Sequence, residues 1–163
     1  MTEDLPEITF IGLGAIDEWT SEGVRCVIRA GFCSLNGYVR LPERLRDWWK
    51  NYDEAAQVLD AHMDLNYGPD EDGWIGFDTA HYCDYWAADD LIGLVDAEGM
   101  HAAAAFARTN AQFPGARRWT RQGLRDEVEV LAAQVSALSR EVGGIGDALG
   151  GNCSAPTRPP TSS

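Results

Sequence analysis

The sequence predicts an α+β fold in which a small antiparallel sheet packs against a long carboxy-terminal helix and a shorter helix. Segments that are typical of strands fall in the first half of the 163-residue chain, and segments that are typical of helices fall in the second half. Strands first and helices last is the order of segregated α+β layers. A chain of this length usually builds one hydrophobic core.

We divide the chain into three parts. An amino-terminal arm covers 1–21, where scattered apolar residues predict a strand or a loose arm over a core edge. A single domain covers 22–142. A flexible tail covers 143–163, which has no packing pattern and starts with the glycine pair Gly143-Gly144, a predicted helix stop.

The predicted sheet is read from patterning and turn residues. Asn36-Gly37 is a strong hairpin signal, although Gly37 also fits a bulge inside a strand. Apolar and polar residues alternate over 59–67, which predicts a half-buried strand. A turn at 68–73 makes the next segment its hairpin partner. The four predicted strands are 23–30, 33–41, 59–67 and 74–80.

Three helical segments follow from composition and spacing. Residues 43–50 after Pro42 predict a short helix or turn, and the alanine-rich segment 99–111 predicts a helix. The longest helix is predicted over 121–142, with Thr120 as its N-cap. Its apolar stripe steps by four and three residues: Leu124, Val128, Leu131, Val135, Leu138 and Val142.

This stripe has two interpretations. A heptad seam predicts a homodimer through the 121–142 helix, whereas packing on the sheet of the same chain predicts a monomer.

The charge balance excludes some partners. Thirteen basic residues against 26 acidic residues give a net charge of −13, which repels nucleic-acid phosphates, so we expect no direct nucleic-acid binding. No apolar run has the length of a membrane span, and the first ten residues lack the basic start of a secretory signal. We therefore expect no membrane partner and a cytoplasmic location. The four cysteines predict free thiols.

Two histidines and two aspartates form the main candidate for chemistry. Asp78, His81 and Asp84 are spaced by three residues, which places them next to one another on a helical turn. His62 lies on the predicted partner strand and is expected within reach of them. One imidazole with two carboxylates is typical of a structural pair, a ligand-binding site, or a metal or acid–base cluster.

Familiar catalytic motifs do not occur in this sequence: no nucleophile elbow, no Walker A loop, no H-E-x-x-H and no zinc-type cysteine pairing. The leading interpretation is therefore a binding protein with no resident cofactor or metal. One alternative is a metal-assisted hydrolase that uses Asp78, His81 and Asp84, with His62 completing the site. A second alternative is a DNA mimic whose acidic face occupies a basic nucleic-acid-binding site.

Three motifs stand in the middle of the chain: GYVRLP at 37–42, HMDLNYG at 62–68 and WIGFDTAHYCD at 74–84. Together they resemble a family of small uncharacterised proteins encoded by actinobacteriophages. In that family the second motif usually reads His-Gly-Gly-Leu-Thr-Tyr, so this chain differs at Met63, Asp64 and Asn66.

The resemblance implies a phage origin and an accessory role, so the expected cytoplasm is that of the host cell. The expected partner is a host protein or a small ligand, and interference with host defence is one outcome of such binding. The resemblance also implies a shared site inside the second and third motifs. The expected ligand-binding residues are His62, Tyr67, Trp74, Asp78, His81 and Asp84.

Overall fold

A computed structural model describes residues 7–148 of the chain, with side chains described through residue 143, and confirms the α+β fold. Its main layer is an antiparallel sheet of four strands in the order β1-β2-β3-β4. These strands are β1 Ala15–Ser21, β2 Val24–Ala30, β3 Leu35–Arg40 and β4 Trp74–Phe77.

The remaining elements lie before β1, between β3 and β4, and after β4. A short parallel pair, β5 Asp84–Trp86 and β6 Arg117–Trp119, forms a second sheet. Two 3-10 turns lie at Glu43–Leu45 and Ala88–Leu91. The helices and short strands are α1 Phe10–Leu13, α2 Tyr52–Ala55, β5 Asp84–Trp86, α3 Ala97–Asn110, β6 Arg117–Trp119 and α4 Arg121–Ala148.

The amino-terminal segment supplies a strand of the main sheet. β1 pairs with β2 through a two-residue turn at Glu22 and Gly23, whose φ angles are +49° and +79°. Two positive φ angles are typical of the type I′ hairpin turn, which matches the twist of antiparallel strands. Of the two interpretations of this segment, the strand is the one that the structure shows for 15–21.

The prediction of a strand over 59–67 is wrong. Within these residues the structure gives a strand-type pairing to Tyr67 alone, in an isolated bridge with Gly76. The chain turns instead, because the Asp64 N–H donates to the Ala61 carbonyl oxygen at 3.1 Å. Two side chains of this irregular segment, Leu59 and Leu65, are buried in the main core. The sequence alternation reflects those core contacts and not a pleated strand.

The prediction of a hairpin turn at Asn36-Gly37 is also wrong, since both residues lie inside β3. The turn between β2 and β3 closes at Gly31, whose N–H donates to the Ser34 carbonyl oxygen at 2.8 Å. A Cβ at position 37 would overlap the side chain of Val128. Gly37 therefore serves the close approach of α4 to the sheet.

Helix α4 lies on β2 and β3, and four of its stripe residues are fully buried there. Thr120 caps it as predicted, because its Oγ1 accepts the Gly123 N–H at 3.0 Å. The helix continues to Ala148, so the predicted stop at Gly143-Gly144 is wrong. Arg44 occupies the space beside Gly143 and donates to the Ser139 carbonyl oxygen at 3.1 Å. The predicted tail beyond 148 lies outside the described residues.

The two faces of the sheet carry different clusters. The face toward α4 holds the main core, whereas the other face holds a smaller cluster of Ile11, Val27, Tyr38 and Trp74. Because the stripe of α4 packs on its own sheet, the intramolecular interpretation of that stripe is the one that the structure shows. No described helix combines the length and the apolar character that crossing a membrane requires.

Candidate functional site

The loop between β4 and β5 carries the predicted site residues Asp78 and His81, and Asp84 is the first residue of β5. A turn closes the loop where the Asp84 N–H donates to the His81 carbonyl oxygen at 2.9 Å. His81 Nδ1 consequently lies 3.0 Å from Asp84 Oδ2 and 3.4 Å from Asp78 Oδ1. The three-residue spacing brings these side chains together as predicted, in a turn and not in a helix.

The Asp84 carboxylate is the centre of the site, and its side chain is fully buried. His62 Nε2 lies 2.8 Å from Oδ1 and 2.9 Å from Oδ2. Trp119 Nε1 donates to Oδ1 at 2.9 Å, and the His81 backbone N–H donates to Oδ2 at 3.1 Å. With His81 Nδ1, four nitrogen atoms surround a carboxylate that has about four lone-pair sites.

These contacts keep Asp84 ionised. Burial by itself would raise the pKa of Asp84, but hydrogen bonds from His62, Trp119 and His81 outweigh it and lower the pKa to about 2. Asp84 therefore carries a full negative charge inside the protein at neutral pH. Such a charge is a strong attractor for a cation placed between the two imidazoles.

His62 reaches the site from the irregular segment that replaces the predicted strand. The two residues after it, Met63 and Asp64, have φ angles of +51° and +72°. Left-handed backbone favours glycine, and neither residue is glycine. This backbone directs the His62 ring to Asp84, with ring centroids 4.7 Å from Trp119 and 5.6 Å from His81.

Two residues of the site were missed in the sequence. Trp119 ends β6 and is fully buried, with its ring stacked on that of Trp86. Asn110 ends α3, and its Nδ2 donates to the Asp84 carbonyl oxygen at 2.7 Å and to that of His81 at 3.2 Å. The one sequence signal for Trp119 is its place before the N-cap Thr120, and Asn110 has no distinctive signal.

Two of the predicted site residues lie elsewhere. Trp74 is fully buried in the cluster on the far face of the sheet, where its Nε1 donates to Thr9 Oγ1 at 3.0 Å. Tyr67 packs edge-on against Tyr38, and its hydroxyl donates to Asp70 Oδ2 at 2.9 Å. Their place in the motifs reflects packing of that face.

Three of the site residues have the geometry of metal ligands. His62, His81 and Asp84 each offer one donor atom, and these atoms all lie within 4.8 Å of one another. Among the described residues, Asp78 and Cys83 stand next to this group without joining it. The third histidine, His101, is exposed on α3.

No protein-family model, curated protein or solved structure matches the chain. The expected kinship with actinobacteriophage proteins therefore stays a prediction from the three motifs, and the site is interpreted from its own geometry.

Proposed function

We propose that the protein binds a divalent transition-metal ion through His62 Nε2, His81 Nδ1 and the Asp84 carboxylate. The observation that carries the proposal is the convergence of these donor atoms to within 4.8 Å of one another around a buried carboxylate. The sequence did not predict that Asp84 would contact both histidines at the centre of the site.

The donor set indicates the class of metal. Two imidazoles and one carboxylate suit Zn²⁺, Fe²⁺, Co²⁺ or Ni²⁺, whereas Mg²⁺ and Ca²⁺ prefer oxygen ligands. The carboxylate is already ionised at neutral pH because its pKa is lowered to about 2. Metal ligands must be deprotonated to bind. Because the Asp84 carboxyl is already ionised, metal binding need not remove a proton from it.

The surroundings of Asp84 also fit a ligand carboxylate. Trp119 Nε1 donates to one oxygen, and the His81 backbone N–H donates to the other. Outer hydrogen bonds of this kind orient ligating side chains and typically change metal affinity by about 10–100-fold. In the metal-free chain the two imidazoles take up the other hydrogen-bonding positions of the carboxylate, and a bound ion would replace these two contacts.

The test is calorimetric titration of the chelator-treated full chain with Zn²⁺. We expect one zinc ion per chain. His62→Ala and His81→Ala should each weaken binding by more than the roughly 100-fold upper range for an outer partner. Trp119→Phe keeps an aromatic ring, although a smaller one, and removes the N–H, so we expect a loss of about 10–100-fold.

The matched control is His101→Ala, which removes an exposed histidine from α3. It should bind zinc as the unaltered chain does, and near-ultraviolet circular dichroism should show that each variant is folded. The proposal is wrong if the unaltered chain binds no zinc, since the two histidines would then only hydrogen-bond to Asp84. It is equally wrong if His101→Ala loses as much affinity as His62→Ala.

The accessory role in phage infection is a separate proposal. Its support is the resemblance in three motifs together with the net charge of −13, which favours a basic or uncharged partner. A metal site is compatible with either interpretation of that role, as a binding protein or as a hydrolase. Binding to a host protein, DNA mimicry and a homodimer stay predictions.

A further inference from the structure

The proposed metal site has three protein ligands among the described residues. A structural zinc site is closed by four protein ligands, whereas a catalytic site has three and keeps a position for water or substrate. Asp78 and Cys83 are the neighbouring candidates for a fourth ligand, and neither belongs to the group of mutually close donors. The donor count therefore favours an open site.

Asp78 stands on the solvent side of this open site. Its side chain is 38% exposed, whereas that of Asp84 is fully buried. Asn66 Nδ2 donates to Asp78 Oδ2 at 2.7 Å, and the Ala80 N–H donates to Oδ1 at 3.2 Å. These contacts fix a carboxylate oxygen 3.4 Å from His81 Nδ1, which is one of the proposed ligand atoms.

We propose that this site is a hydrolytic centre in which Asp78 accepts a proton from the attacking water. The inference rests on the metal binding proposed above. A carboxylate held beside an open metal position without ligating the ion is the arrangement that general-base hydrolysis needs.

The reaction that fits is hydrolysis of an acyl bond. The oxygen of a water molecule forms a bond to the carbonyl carbon while Asp78 takes one of its protons. The bond between the carbonyl carbon and the leaving group then breaks, and Asp78 returns the proton to the leaving group. One water is consumed, and an acid and an alcohol or amine are released, so no oxidant or reductant is needed.

The charge of the site and the exposed aromatic residue that follows His81 in the chain indicate the substrate class. Two aspartates in the site and a net charge of −13 disfavour a polyanionic substrate such as a nucleic acid. Tyr82, next to His81, is 68% exposed, and its ring packs edge-on against exposed Phe113 with centroids 5.9 Å apart. An uncharged ester or amide with an apolar group matches both features.

The test compares the zinc-loaded full chain with two matched variants, Asp78→Asn and the exposed-carboxylate control Asp47→Asn. The probes are 4-nitrophenyl acetate as a neutral ester and bis(4-nitrophenyl) phosphate as an anionic diester. We expect zinc-dependent hydrolysis of the ester, with kcat about 100-fold lower or more in Asp78→Asn and unchanged in Asp47→Asn.

Two further readouts separate this inference from metal binding itself. Calorimetry should show that Asp78→Asn retains zinc with less than the tenfold loss typical of an outer partner. The visible spectrum of the Co²⁺-loaded chain should change when azide is added, since azide enters an open position.

Each result bears on the proposal. A Co²⁺ spectrum that azide does not change would overturn the open site while leaving metal binding intact. Loss of zinc binding in Asp78→Asn would make Asp78 a fourth ligand and overturn its role as base. Ester hydrolysis that Asp78→Asn leaves unchanged, or hydrolysis of the phosphodiester alone, would overturn the proposed reaction. Absence of zinc binding in the unaltered chain would instead overturn the proposed function.

Discussion

The half of the molecule built from the sheet and α4 differs from the half that holds the site. In the first half, backbone ladders join neighbouring strands and an apolar stripe covers them. In the second half, one buried carboxylate joins the short β5–β6 ladder to the irregular loop that carries His62. Asp84 bonds to His62 from an irregular loop, to His81 from a turn and to Trp119 from β6.

The difference shows where strain is tolerated. In the sheet and its helix, Glu22 and Gly23 have positive φ angles in a two-residue hairpin turn, where such angles are typical. Beside the site, Met63 and Asp64 adopt left-handed backbone without being glycine. Such residues persist where the surrounding contacts fix them, and they concentrate at functional sites. The hydrogen bond from His62 to Asp84 is one of the contacts that hold this loop, so we expect the two halves to respond to different perturbations.

The largest effect is expected in the sheet and helix half. Leu131 is fully buried on the stripe of α4, so Leu131→Ala should lower the free energy of unfolding by about 2–5 kcal/mol. Urea denaturation measures this loss, and calorimetry should show zinc affinity unchanged because Leu131 is not a ligand. A loss below about 1 kcal/mol would place the stripe outside a packed core and would reopen the homodimer interpretation.

A smaller effect is expected from the pH dependence of the metal-free protein. The carboxyl of Asp84 has a folded pKa of about 2. In the unfolded chain its pKa is about 3.9. The unfolded state therefore binds the proton first as pH falls, so the stabilisation is present above about pH 4 and is lost toward pH 2, by about 2 kcal/mol.

Urea denaturation between pH 5 and pH 2 checks this dependence, with Asp84→Asn as the reference that removes the titrating group. The difference between the two curves should shrink as pH falls through this window. Curves that stay parallel down to pH 2 would show that the contacts around Asp84 do not stabilise its charged form.

The smallest effect concerns the strained loop. Met63 has a φ angle of +51° and is 47% exposed, so Met63→Gly relieves strain and removes little packing. Left-handed backbone costs a non-glycine residue about 1–2 kcal/mol, and the greater freedom of unfolded glycine offsets about 0.5–1 kcal/mol. We expect a net gain of roughly 0.5–1 kcal/mol in thermal or urea denaturation.

Ala61→Gly is the matched control, because Ala61 is not among the described residues with positive φ. It should lower stability by roughly 0.5–1 kcal/mol. Equal destabilisation by both glycine substitutions would mean that Met63 carries no strain.

The regular half was largely predictable from the sequence. The periodic stripe of α4 and the cap at Thr120 specify the helix, and β-branched residues specify β2. The error at Asn36-Gly37 has a tertiary cause, since Gly37 is required by the approach of Val128 and not by a turn. The sequence could not reveal this because the same dipeptide is typical of hairpins.

The site was predictable in part. The spacing of Asp78, His81 and Asp84 was sufficient to bring them together, since a turn preserves i to i+3 proximity. His62 was expected nearby for a wrong reason, because it arrives from a loop and not from a paired strand. Trp119 was missed since its contact with Asp84 spans 35 positions along the chain, beyond the range of local patterns.

The most direct test of the metal site is X-ray absorption spectroscopy at the zinc edge of the zinc-loaded full chain. We expect the ligating nitrogen atoms of two imidazole rings, and carboxylate or water oxygen atoms, at about 2.0–2.2 Å from the zinc ion. A sulfur neighbour at about 2.3 Å, which would bring Cys83 into the site, or fewer than two imidazole rings would contradict the proposed site.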